Sequence, residues 1–298
     1  MSTQSVTPLG YHDVRKMLSA IYPDGEATAI ARMVFEECFH ITLADIYMGR
    51  DRELPPDSLA ALSAIADRLM QHEPVQYVLG EAVFCGRRFH VEPGVLIPRP
   101  ETEELCRIVT AAADRLSAER QSAGMPERPL RILDIGTGSG CIAVTLAADI
   151  PQSTVAAWDI SPTALSIARG NACRHGVSIE FKETDILGRQ PLPRQPWDII
   201  VSNPPYICSK ESAMMARNVT DYEPGTALFV PDDDPLLFYR SIADYARNAL
   251  ARGGMLAFEI NPLYAAETAA AMTAAGLSEA TVIADQYGRQ RFATAHKE

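Results

Sequence analysis

From residue 130 onward, short apolar segments alternate with stretches of helical character, and this alternation constrains the fold more than any other feature of the chain. R-I-L-D-I (131–135), T-V-A-A-W-D (154–159), S-I-E-F-K-E (178–183), W-D-I-I-V-S-N (197–203) and G-M-L-A-F-E-I (254–260) read as strands. Helices are expected from about Cys141, from Pro162 behind a Ser161 cap, near 235–251 and near 263–275. Parallel strands need crossover connections, and apolar strands need both faces covered. Repeated strand–helix units therefore predict an α/β domain with a mainly parallel sheet between two helical layers. The segment A-T-V-I-A-D-Q-Y-G-R-Q-R-F-A-T-A (280–295) reads as two more strands around a turn.

The front of the chain has a different period. Leu59, Leu62, Ile65 and Leu69 recur every three or four residues, with Asp57 and Ser58 as candidate N-caps. Ile30, Val34 and Cys38 form a similar stripe, Thr42 with Asp45 resembles a capping box, and Met33 and His40 are read as packing residues. A small helical bundle over residues 1–80 follows. In residues 81–98, β-prone pieces flank Gly86 and the turn signal Glu92-Pro93-Gly94, which predicts a β-hairpin linker. A helix is expected from Glu101 to about Leu116 and a loop over 117–129, within a second domain spanning 99–298.

Composition narrows the function classes. No apolar run reaches the roughly 18 residues of a membrane span. The start, M-S-T-Q-S-V-T-P-L-G, has no basic or apolar signal-peptide regions, so a cytoplasmic protein is expected. The six cysteines (Cys38, Cys85, Cys106, Cys141, Cys173, Cys208) form no C-x-x-C pair and are expected as reduced, small core residues. Neither they nor the six histidines have ligand spacing, so no metal site is expected. A net charge of −11 argues against a surface built to grip nucleic acid by its phosphates.

D-I-G-T-G-S-G (134–140) lies between a predicted strand and a predicted helix. Gly136, Gly138 and Gly140 permit close backbone approach to a ligand at the carboxyl edge of an open sheet. The spacing differs from the dinucleotide pattern G-x-G-x-x-G because Cys141 follows Gly140. Asp159 ends the next strand, where an acid can accept from both hydroxyls of a ribose, or else cap the following helix. Asp185, after the third strand, suits an adenine amino group or a solvated loop.

These features resemble the class I S-adenosylmethionine-dependent methyltransferases, with a Rossmann-like fold. The resemblance implies that Asp134, Gly136, Thr137, Gly138 and Gly140 form the cofactor turn, with the glycines against the methionine part. It also implies that Asp159 holds the ribose and Asp185 lies near the adenine, with Ile160, Ile186 and Asn203 also at the cofactor. A sulfonium cofactor carries positive charge, which acidic neighbours favour.

V-S-N-P-P-Y-I (201–207) ends the fourth strand on the same rim. Two prolines cannot continue a sheet, and their fixed φ stiffens the turn. The Asn203 side-chain carbonyl and the Pro204 backbone carbonyl are two acceptors suited to a planar NH₂ group, with Pro205 holding the turn and Tyr206 stacking on the plane. The motif resembles that of methyltransferases acting on planar nitrogens, both adenine N6 and glutamine N5. P-V-Q-Y-V-L-G-E (74–81), L-I-P-R-P-E-T-E-E-L (96–105) and Y-E-P-G-T-A-L-F (222–229) extend the likeness nearly end to end, to the release factor glutamine N5-methyltransferase family (PrmC/HemK). That resemblance implies methylation of the glutamine in the Gly-Gly-Gln loop of peptide chain release factors, a substrate-docking front bundle, and Thr102 and Glu103 near the cofactor or the catalytic end of the cleft. It implies partners among release factors and neither membrane nor direct nucleic-acid binding. A related branch acting on a ribosomal protein carries a Pro-Arg-Ser-Pro-type run where Arg99-Pro100-Glu101-Thr102 stands, and adenine N6-methylation is the other alternative. Gln290 departs from the family's commoner Gly-Arg-Asp-Arg run and is read as bearing on the terminal hairpin.

Overall fold

The computed structural model describes residues 9–298, which form two compact units. One comprises the described residues up to Glu81 together with Ala216–Tyr222; the other comprises Ala82–Met215 and Glu223–Glu298.

The first unit holds α1 (Tyr11–Leu18), α2 (Asp24–Phe39), α3 (Leu43–Tyr47), α4 (Pro56–Met70) and α5 (Val75–Leu79). Its core is built from Leu18, Phe35, Leu62 and Leu69, all fully buried. Each such side chain contributes about 1.5–3 kcal/mol. The capping box at Thr42 and Asp45 is present: the Asp45 amide donates to the Thr42 hydroxyl and the Thr42 amide donates back. Four expectations are corrected. Helix α4 starts at Pro56, whose fixed φ suits the first turn, so Asp57 and Ser58 lie inside the helix and do not cap it. The buried stripe of α2 is Ala27, Ile30, Ala31, Val34 and Phe35, which leaves Cys38 exposed. Met33 is exposed, and His40 is an exposed left-handed residue ending the helix. The motif P-V-Q-Y-V-L-G-E becomes the short helix α5, ended by Gly80 at φ +72°. Arg68 donates to the Tyr77 and Val78 carbonyls and pairs with Glu73, fastening α5 to α4.

Strands β1 (Glu81–Phe84) and β2 (Arg87–His90), which belong to the second unit from Ala82 onward, form the expected hairpin around Gly86. Helix α6 runs Pro100–Ser122, six residues beyond the expected Leu116, so the first part of the expected loop is helical. S-A-E-R-Q-S contains no breaker before Gly124, and Arg120 is fastened to buried Asp198. The alternating region then gives β3 (Leu130–Ile135), α7 (Cys141–Asp149), β4 (Ser153–Asp159), α8 (Pro162–Arg174), β5 (Ile179–Glu183), β6 (Trp197–Ser202) and β7 (Ile207–Cys208). Two short helices, α9 (Arg217–Thr220, in the first unit) and α10 (Gly225–Leu228), precede β8 (Phe229–Val230), α11 (Leu237–Ala249), β9 (Leu250–Glu259), α12 (Ala265–Ala274), β10 (Ser278–Ala284) and β11 (Gln290–His296).

The main sheet has seven strands in the order β10-β11-β9-β6-β3-β4-β5; β9 through β5 are parallel, and β10 and β11 are antiparallel. This is the Rossmann-like α/β fold that the alternation predicts. Successive residues point to opposite faces. Ile132 and Ile199 thus enter one core with α6 and α7, while Leu133 and Ile200 enter another with α11 and α12. At the hairpin between β10 and β11, the Asp285 carboxylate accepts from the Tyr287 and Arg289 amides and from Arg291 Nε. Gln290 opens β11 with its side chain exposed. Among the cysteines, Cys106, Cys141 and Cys208 are buried as expected, but Cys38 and Cys173 are exposed. Among the described residues, no helix is long and apolar enough to cross a membrane.

Candidate functional site

The carboxyl ends of β3, β4, β5 and β6 converge on a cavity of about 340 Å³. Such an edge, beside the strand where the chain order reverses, is where open α/β sheets bind ligands. The turn after β3 is held from beneath: the Gly136 and Thr137 amides donate to the Trp158 carbonyl at 2.8 and 3.0 Å. Ser202 at the end of β6 donates to the Ile135 carbonyl at 2.6 Å, fixing the strand end from which Asn203 departs.

The three glycines of the turn, all with positive φ, have different surroundings. A Cβ on Gly136 or Gly138 would meet nothing within 4 Å, and both residues border the cavity. A Cβ on Gly140 would lie 2.9 Å from Ala168 Cβ, so that glycine lets α7 pack on α8. Asp134 and Thr137 stand behind the turn: both are buried, and the Thr137 hydroxyl donates to Asp134 at 2.6 Å. Burial, partly offset by that bond, pushes the Asp134 carboxyl up to about 7.

Asp159 borders the cavity and binds the turn itself. One carboxylate oxygen accepts from Gly138 N at 2.8 Å and the other from Ser161 N at 2.9 Å. The cap of α8 is Ser161, whose hydroxyl accepts from Ala164 N, so Asp159 is not the cap. Burial raises its carboxyl above the ordinary value. Ile160, Asp185 and Ile186 also border the cavity, and Asp185 accepts from Leu187 N in a tight turn.

Asn203, Pro204 and Pro205 also line the cavity. Tyr206 is not among the lining residues; its hydroxyl donates to Glu259 at 3.1 Å. Thr102 is buried behind the wall, accepting from Asn203 Nδ2 at 3.3 Å and donating to Glu259 at 2.7 Å. Glu103 is placed elsewhere: its carboxylate accepts the Cys85 amide in the hairpin turn at 2.8 Å, outside the cavity wall.

Several lining residues carried no expectation. Pro224, Thr226, Ala227 and Phe229 come from the Y-E-P-G-T-A-L-F motif, brought beside N-P-P-Y-I by parallel pairing of β7 with β8. Buried Glu223 fastens this motif to L-I-P-R-P, accepting from Ile97 N at 3.1 Å and Arg99 at 2.5 Å. Glu259 was missed because it closes an apolar strand, and the signal was the acid itself in G-M-L-A-F-E-I.

Two carboxylates and, among the described residues, no lysine, arginine or histidine line the cavity. That wall suits a cation-bearing ligand better than a polyphosphate. Residues 11–80 match the PrmC N-terminal domain family, and residues 123–221 match the methyltransferase small domain family. A release factor glutamine methyltransferase of Bacteroides thetaiotaomicron is 42% identical, over 95% of this chain and 98% of its own length. The chain belongs to the release factor glutamine methyltransferase family. A second member, from Flavobacterium psychrophilum, is 38% identical over 92% of this chain and 93% of its own. The fold of this family member also resembles a T. thermophilus 16S rRNA methyltransferase at TM-score 0.50 and 18% identity, covering 73% of this chain and 50% of that one.

Proposed function

We propose that this chain transfers a methyl group from S-adenosylmethionine to the side-chain amide nitrogen (N5) of the glutamine in the Gly-Gly-Gln loop of peptide chain release factors, with its helical bundle (1–80) docking the substrate. The observation that carries the reading is the pairing, across one cavity, of an open glycine turn with Asn203. The amide nitrogen of Asn203 is engaged by Thr102, which leaves its carbonyl oxygen without a protein donor among the described residues. The names of the family's close relatives supply the substrate.

The residues present fit the cofactor. Gly136 and Gly138 leave room where a side chain would intrude, and each Asp159 oxygen, with one amide bound, keeps acceptor capacity for a ribose hydroxyl. Ile160 and Ile186 offer apolar cover, and Asp185 an acceptor for an amino group. When bound, the group supplies an electrophilic methyl carbon on a sulfonium.

The chain's own work is orientation. Asn203 Oδ1 and the Pro204 carbonyl take the two N–H groups of the glutamine amide and turn its nitrogen inward. Most of the rate follows from that alignment, because an amide nitrogen is a weak nucleophile. Neither Asn203 nor Tyr206 acts as a base; the amide nitrogen gives up one proton to solvent after it has taken the methyl group. Burial and the neighbouring Glu259 raise the Tyr206 hydroxyl's pKa, so it stays protonated and donates.

The test is methyl transfer from labelled cofactor to a purified release factor, beside the same factor with its Gly-Gly-Gln glutamine changed. Label on the first and none on the second is expected. Label absent from both, but present on ribosomal protein or on adenine in nucleic acid, would overturn the substrate assignment.

A further inference from the structure

Glu259 is a carboxylate at the end of β9, 1% exposed, in a strand otherwise apolar along its last six residues. Its two oxygens are taken by two hydroxyl donors, Thr102 at 2.7 Å and Tyr206 at 3.1 Å. A hydroxyl has one proton to give. Thr102 gives its proton to the carboxylate, so its oxygen can only accept from its other neighbour. That neighbour is the Asn203 side chain, 3.3 Å away. Only the NH₂ end of Asn203 can donate there, and its carbonyl end is thereby turned away from Thr102. We infer that Glu259, acting through Thr102, fixes which end of the Asn203 amide faces the cavity, and that both are positioning residues for the reaction.

A lone Asn side chain can rotate by half a turn at little cost, since its oxygen and nitrogen are nearly the same size. The wrong rotamer would present donors to a substrate NH₂ group, and donor would face donor. A one-way chain from carboxylate to hydroxyl to amide removes that alternative. Two further features keep Glu259 an acceptor. The Arg291 charge on β11 opposes the burial that raises its carboxyl's pKa, and the Tyr206 hydroxyl holds the second oxygen. Residues 102, 203, 206 and 259 come from three separate parts of the chain, and one carboxylate orders both the Asn and the Tyr of N-P-P-Y.

This inference rests on the methyl transfer proposed above, and its test separates the two. Thr102→Val keeps the shape and deletes the relay. It is expected to lower kcat by about tenfold or more, the worth of one orienting hydrogen bond, with the KM for release factor and the Kd for cofactor within about twofold. Thr102→Ser restores the hydroxyl and is expected to recover most of the turnover. In the ligand-free protein, the side-chain NH₂ resonances of Asn203 should shift in Thr102→Val and return in Thr102→Ser. Glu259→Gln approaches from the other end, and adding Thr102→Val to it should cost little more, because the two act in series. Unchanged kcat and unchanged resonances in Thr102→Val, or strictly additive losses in the double variant, would overturn the inference. A parent enzyme that methylates no release factor would sink the functional reading instead, while the resonances would still decide how the Asn203 amide is held.

Discussion

Asn203 and Asp159 line the same cavity, and their different hydrogen-bond partners separate their expected effects. Asn203→Ala removes the free carbonyl but leaves the glycine turn and Asp159 untouched, so cofactor affinity should stay near the parent value while transfer is nearly lost. Equal loss of both would contradict the role given to Asn203. Asp159→Ala removes ribose acceptors and also frees the Gly138 and Ser161 amides. Cofactor binding should weaken by about 1–3 kcal/mol, the usual worth of hydrogen bonds to a charged acceptor. A calorimetric affinity equal to the parent's would remove Asp159 from the site. At this scale the sequence was informative wherever a residue ended a strand. Asp159 and Asn203 each follow an apolar run and Asp185 follows an alternating one, and a strand end is where a parallel sheet presents side chains to a ligand. Glu103 was not legible in this way, because which of several acids near a helix start turns inward depends on the hairpin packed against it.

The glycine turn illustrates what an element needs that a motif does not state. Three glycines at alternate positions look equivalent in D-I-G-T-G-S-G, but the clash that a Cβ would make distinguishes them. Gly140→Ala should lower stability by about 1–3 kcal/mol, from overpacking against Ala168 and a left-handed backbone, as read by thermal unfolding of the ligand-free protein. Gly138→Ala carries the backbone strain without the clash, so it should be milder in unfolding and worse in cofactor affinity. The reverse ranking would show that Gly140, and not Gly138, meets the ligand. Element type was readable from hydrophobic period in the main sheet and its covering helices, whereas β7, α9, α10 and β8 carried no expectation and the boundaries were not readable. The length of α6 was fixed by the Arg120 pairing with Asp198, a contact between residues 78 apart. The Glu259 link to Thr102 spans 157 residues and left no local trace beyond the acid itself.

Stability of the whole protein should carry the mark of its buried acid. The Asp134 carboxyl is raised to about 7 in the folded state from its ordinary value of 3.8. The folded chain therefore holds that proton more tightly than the unfolded chain. Its contribution to stability is complete below about pH 4 and is lost as pH rises towards 7. Asp134→Asn has no proton to lose, so its stability should fall less over that window, with a slope shallower by up to about 1.4 kcal/mol per pH unit. Urea unfolding across the window measures this, and parallel slopes would refute it.

Strand β11 lies inside the sheet, between β10 and β9, yet it follows every other strand of that sheet in the chain. During synthesis, β9 therefore emerges with its outer edge unpaired, and Glu259 waits at its end without the Arg291 charge that steadies it. The cofactor turn, the strand ends and N-P-P-Y are all made earlier, but the carboxylate that orders them gains its last neighbour only when β11 has left the ribosome. The surroundings of the site's ordering carboxylate are thus completed only by the last strand of the sheet to be made.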